Sequence, residues 1–183
     1  MPPETRPAAP GPYGPDPFGG LPAALRNVAY SAARHPGAGA PDEASPTARG
    51  GGDLRTGGGS PGAPDLSGGA NCQRYAYAVL HHFGLWVPPL RSAELWADVR
   101  ATYRVDRPGP LDLLLFDGGP VAGRPEGYGA HVGVRLGPDQ VLHLCKEVGR
   151  PVVWRPADFA ARTRYARLLG TKRVRGGVRP PGL

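Results

Sequence analysis

Cysteine and methionine are scarce in this chain, with two of the first and one of the second among 183 residues. A disulfide framework needs an even set of cysteines at regular spacing, so Cys72 and Cys145 are expected to be free thiols, with a bridge between them the minor alternative. Long apolar runs are missing as well. Nothing approaches the roughly 20 apolar residues of a membrane span, and no apolar stretch follows a basic start as in a secretory signal. No membrane span is therefore expected, and the simplest address is the cytoplasm. Acidic residues are absent after Asp158, where Arg162, Arg164, Arg167, Lys172, Arg173, Arg175 and Arg179 follow one another. With a net charge of +7, that basic end could make weak contact with nucleic acid or another anionic polymer. It has no interleaved aromatic residues and no nucleic-acid motif, so a solvated strand edge and tail is the preferred reading. No internal repeat is present.

Proline and glycine are in excess instead. The first 70 residues hold 13 Pro and 15 Gly, a composition with too few apolar groups to offset the entropy of ordering the chain. Residues 1–67 read as a mostly disordered segment, 68–175 as one domain and 176–183 as a disordered tail. One island interrupts the first segment. In "GLPAALRNVAYSAARH", Leu21, Leu25, Val28, Ala29 and Ala32 recur at helical spacing, with Pro22 suited to a first turn and Pro36 to a stop. A short amphipathic helix is expected within 21–34, packed on the later domain or partly formed.

The second half alternates in character. From Cys72, the positions Ala76, Val79, Leu80 and Phe83 form one apolar stripe, and Gly84 supplies a stop, so a helix of about three turns is expected. Ser92 is a candidate N-cap for a second helix carrying Leu95, Trp96 and Val99. "LDLLLFD" (111–117) suits a buried strand, with Asp112 capping its start. "AHVGVRL" and "VLHLCK" around "GPDQ" read as a hairpin, "PVVWR" as a strand, "PADFAAR" as a short helix and "ARLLGTKRV" as a last strand. Trp86, Trp96 and Trp154 are assigned to the core, with a cleft position open for Trp154, and Cys145 to a buried strand site. The pattern is that of an α+β domain.

Cys72 stands where two glycines give way to a helix. Unsatisfied N–H groups and the positive end of the helix dipole favour thiolate there, and the same groups, approached through Gly68 and Gly69, could bind an oxyanion. A thiol nucleophile needs a base near neutral pH, which points to histidine. His81 and His82 fall at the far end of the helix, about 14 Å from Cys72 at about 1.5 Å per residue. His131 and His143, one on each arm of the hairpin, are the candidates. They share a strand face only if the hairpin loop is odd in length or carries a bulge. A three-residue loop would bring them together, a two-residue turn at Pro138-Asp139 would part them, and the sequence leaves both open.

The order Cys72, "DLLLF", "HVGV" and then His143 twelve residues after His131 resembles the NlpC-type cell-wall peptidases, papain-like cysteine hydrolases. The resemblance runs from about Gly68 to Val174. It implies a nucleophile-bearing helix packed on an antiparallel sheet, with Cys72 as nucleophile, His131 as general base and acid and His143 orienting His131. It further implies cleavage of an amide, in peptidoglycan stem peptides or related peptides, through a thioester. The chain departs from the family at several places. Asn71-Cys72-Gln73 replaces the common Asp-Cys-Ser, Leu111 replaces the glycine before the strand, and the upstream Tyr and paired-Gly segment has no clear counterpart.

Two further readings belong beside this one: a non-catalytic module on the same fold that binds a wall fragment, peptide or protein, and a cysteine acyltransferase with the same triad. Zinc held by Cys72, His131, His143 and Cys145 is disfavoured, since no short Cys-x-x-Cys or His-x-x-x-His pair nucleates it. No cofactor or metal is expected, and the protein is expected to act as a monomer, in the cytoplasm or after release to the cell wall.

Overall fold

The computed structural model describes residues 18, 20–37 and 62–176. The expectations of disorder for 1–17, 38–61 and 177–183 lie outside the described residues. Six strands form one antiparallel sheet: β1 (Thr102–Arg104), β2 (Leu113–Asp117), β3 (His131–Gly137), β4 (Gln140–Leu144), β5 (Pro151–Trp154) and β6 (Arg167–Val174). Their spatial order is β1-β6-β2-β3-β4-β5. Four helices accompany them, α1 (Ala23–Arg26), α2 (Cys72–His82), α3 (Ser92–Ala97) and α4 (Pro156–Ala160), with a 3-10 turn at Thr163–Tyr165. This is the α+β architecture that the alternation of patterns implies, with the Cys72-bearing helix against an antiparallel sheet. No helix among the described residues is long and apolar enough to cross a membrane.

Strand alternation divides the interior into two parts. Leu113 and Leu115, Val132 and Val134, and Leu142 and Leu144 meet the α2 stripe of Tyr75, Ala76, Val79 and Leu80 in the larger core. Leu114, Phe116 and Val141 turn to the opposite face and pack with Phe159 of α4 and Tyr165 of the 3-10 turn. Burying such side chains contributes roughly 1.5–3 kcal/mol each.

The segment ahead of α2 belongs to the larger core too. Leu21, Leu25 and Val28 are buried there, and the Tyr75 hydroxyl donates to the Leu25 carbonyl at 2.8 Å. Its helix is only Ala23–Arg26, because from Tyr30 the backbone instead runs as a strand-like bridge to Ala70.

α3 also differs from expectation. Arg91, not Ser92, is its N-cap, and it ends at Ala97 because the Asp98 carboxylate accepts the backbone N–H groups of Arg100, Ala101 and Thr102 and turns the chain into β1. Val99 is left outside the helix and 72% exposed, and Trp86 is 46% exposed rather than in the core. Trp96 is buried as expected, its indole N–H donating to Glu126 at 2.7 Å while the Arg104 guanidinium covers the ring. Asp112, fully buried, accepts from Gly109 N–H at 2.6 Å and takes a two-pronged ion pair from Arg173, which is the structural role expected of it.

Candidate active site

The thiol is placed by two local devices. Asn71 is the N-cap of α2, and its side-chain oxygen accepts the Arg74 N–H at 2.9 Å, so asparagine serves here as a good capping residue. Upstream, Ala70 N–H donates to Ala29 O at 3.0 Å, Ser31 N–H to Ala70 O at 2.8 Å, and Asn71 N–H to Arg34 O at 2.9 Å. Those bonds require Gly69, which has φ of 82° and on which a Cβ would lie 2.7 Å from the Ala29 carbonyl oxygen. Gly69 thus serves the approach of residues 29–31.

Cys72 is the first residue of α2 and keeps part of its surface open. Its sulfur meets the backbone N–H groups of Val132, Gln73 and Cys72 itself, which favour the thiolate, but burial is the larger effect and pushes the thiol up. The resting group is the neutral thiol, in contrast to the thiolate that a bare helix terminus would favour.

The hairpin combines the two possibilities that the sequence left open. Pro138 and Asp139 make a two-residue turn between Gly137 and Gln140, which pair. The register then shifts, so that Arg135 pairs with Val141 and Val134 with Leu142. Leu136 is the extra residue of a bulge, and it restores odd-with-odd pairing. As a result His131 Nε2 and His143 Nδ1 lie 2.8 Å apart in a hydrogen bond. Both rings are buried. Gly133, facing His143 across the two strands, makes the fit possible: a Cβ there would stand 2.6 Å from Val141 Cγ1 and 3.5 Å from His143 Cβ.

His131 directly precedes Val132, whose N–H meets the Cys72 sulfur, so the start of β3 lies against the first turn of α2. With Nε2 engaged by His143, His131 has Nδ1 for a second partner. Burial, then the nearby Arg164 charge, pushes His131 well below the usual histidine range. Burial pushes His143 down too, reinforced by repulsion from His131 and Arg162. Both imidazoles are therefore neutral near pH 7.

Aromatic rings close the far side. Tyr165 lies 4.7 Å from His131, and Phe159 and Trp154 lie 4.7 and 4.4 Å from His143, all between ring centroids. Trp154 is half-buried against His143, at the margin of the smaller core. Cys145, fully buried just past β4, and Cys72 both add to the burial that pushes the Tyr165 hydroxyl up to about 12.

Sequence reasoning missed two residues of this region. Tyr30 is held near Cys72 by the bridge to Ala70, and its hydroxyl is pushed up first by burial and then by Cys72. The exposed Arg164 is within electrostatic reach of Tyr30, His131 and Tyr165. A tyrosine upstream of paired glycines was the available signal for Tyr30, obscured by the low-complexity stretch between them. Nothing local marks Arg164 among so many arginines.

The fold and site define an α+β domain with a thiol at a helix N-terminus and two hydrogen-bonded histidines on adjacent strands. No protein-family model and no curated protein matches the chain. Among solved structures it is similar to the crystal structure of the NlpC/p60 domain of peptidoglycan hydrolase SagA, with 22% identity over 54% of this chain and 76% of that one and a TM-score of 0.38.

Proposed function

We propose that the protein is a cysteine hydrolase that cleaves amide bonds, with Cys72 as nucleophile, His131 as general base and then acid, and His143 orienting His131. The observation that carries this reading is the 2.8 Å bond from His131 Nε2 to His143 Nδ1, with the next residue of the strand, Val132, turning its N–H to the thiol at the first turn of α2. Because the thiol and imidazole both rest neutral, proton transfer from Sγ to His131 Nδ1 accompanies attack on the carbonyl carbon rather than preceding it. Negative charge then develops on the carbonyl oxygen, for which the backbone N–H groups at the start of α2 are the nearest donors. His131 returns its proton to the departing amine, and water, deprotonated by the same imidazole, hydrolyses the thioester and frees Cys72. The resemblance of the Cys72, His131 and His143 motifs to NlpC-type peptidases makes peptidoglycan stem peptides the first substrates to try, and Arg164 at the rim suits a substrate with a carboxylate near the scissile amide.

The test is incubation with stem peptides, following release of new amines by mass spectrometry, for the wild type and for Cys72→Ala, His131→Ala and Arg164→Ala. Turnover should vanish in the first two and show a raised KM in the third. Binding of the same peptides without any new amine, unchanged in Cys72→Ala, would refute hydrolysis. That outcome would establish the binding-module reading, which the burial-raised thiol also suits.

A further inference from the structure

The third member of the proposed triad is a second imidazole, and its far nitrogen carries information. His143 Nε2 is buried, and among the described residues it meets no hydrogen-bonding partner. It lies on the side of the ring turned away from His131, and the other rings that pack on His143 are Trp154, at 64°, and Phe159, at 51°. Trp154 is itself held in place. The Arg162 guanidinium lies 3.9 Å from its ring centre, and Arg162 is fixed by Glu147 at 3.3 Å and by the Asp158 carbonyl.

We propose that the Trp154–Phe159 pocket, clamped by Arg162, sets the tautomer of His131 through His143. An aromatic face is negative, so it accepts an N–H and repels a bare lone pair. On this proposal the proton of His143 sits on the unpartnered Nε2, among the packed rings, and its Nδ1 is the acceptor. His131 must then donate from Nε2, and its Nδ1 keeps the lone pair needed to take the proton of Cys72. The opposite arrangement would aim the Nε2 lone pair of His143 at the rings and load His131 Nδ1 with a proton, leaving it unable to act as a base. An aromatic pocket thus does here what an acceptor does when it fixes the tautomer of a histidine. Trp154 is a positioning residue in this scheme, and the inference about its role in catalysis rests on the cysteine-hydrolase reading.

The experiment is nitrogen NMR of the full chain carrying 15N-labelled histidine near pH 7.5, which identifies the protonated nitrogen of each ring without any substrate. Both His131 and His143 should carry the proton on Nε2. In Trp154→Ala the two tautomers should mix, and kcat on a cleaved stem peptide should fall by about tenfold, part of the 10²–10⁴ that a positioned base supplies. KM should hold, and Trp154→Phe should restore both signatures. Phe159→Leu gives a second variant should Trp154→Ala fail to fold. A proton on His131 Nδ1 in the wild type would overturn the inference, as would tautomers unmoved in a folded pocket variant. If no amide substrate is cleaved while the tautomers behave as described, the hydrolase reading fails and the control of the tautomer stands.

Discussion

Gly133→Ala isolates the feature that lets the histidine strands close. The added Cβ would lie 2.6 Å from Val141 Cγ1, against the roughly 3.5–4.0 Å of a normal carbon contact, with the Leu142 carbonyl oxygen at 3.4 Å and His143 Cβ at 3.5 Å. Val141 is buried, and its β-branched side chain has few other rotamers, so the strands must give way. Overpacking of this kind costs about 1–3 kcal/mol, offset by about 0.4–1 kcal/mol because alanine restricts the unfolded chain. A net loss of about 1–2 kcal/mol corresponds to a drop in Tm of roughly 2–8 °C for a chain of this length. Urea titration and thermal melts should show that loss, together with reduced turnover as His143 is displaced. Truncating the obstructing residue as well should make the double variant Gly133→Ala/Val141→Ala less damaged than the sum of the singles, by about 1 kcal/mol. Strict additivity, or a Gly133→Ala protein as stable as the wild type, would refute the packing argument.

Acid should weaken the fold through the same pair. Both histidines are held neutral by burial in the folded state but protonate near pH 6.5 when unfolded. The unfolded chain then binds more protons, so stability is full above pH 6.5 and falls below it, by up to about 1.4 kcal/mol per pH unit for each histidine. Urea unfolding between pH 7.5 and 5 should show this slope, reduced in His143→Asn; identical slopes would count against it. Leu111 occupies the left-handed region, with φ of 61°, where the resembled family has glycine. Leu111→Gly should relieve about 1–2 kcal/mol of strain but delete a fully buried side chain that costs about 3–5 kcal/mol to truncate. A net loss of about 1–4 kcal/mol in denaturant titration is expected, and a variant of equal or greater stability would show the strain to dominate.

Much of the domain was legible because it rests on local periodicity. The α2 stripe, the buried β2 run, the hairpin arms and the late strand follow from spacings of 3.6 and 2, and Cys72 stands out by its place after two glycines. What escaped depends on partners distant in sequence. Whether His131 and His143 meet turns on the bulge at Leu136, which no turn residue announces. α3 was read too long because Val99 continues the apolar spacing, whereas the Asp98 carboxylate captures the next N–H groups and ends the helix. Tyr30 was read inside a helix, yet pairing with Ala70 makes it a neighbour of the thiol.

The position of β6 governs when the sheet can close. It lies between β1 and β2, and the turn that seats Tyr165 against His131 comes just before it in sequence. During synthesis the thiol emerges first, the two imidazoles later, and the strand that completes the sheet last. Until residues 167–174 arrive, β1 has no pairing partner and β2 lacks one neighbour. A nascent polypeptide therefore carries Cys72, His131 and His143 before it can complete the sheet that holds the two histidines.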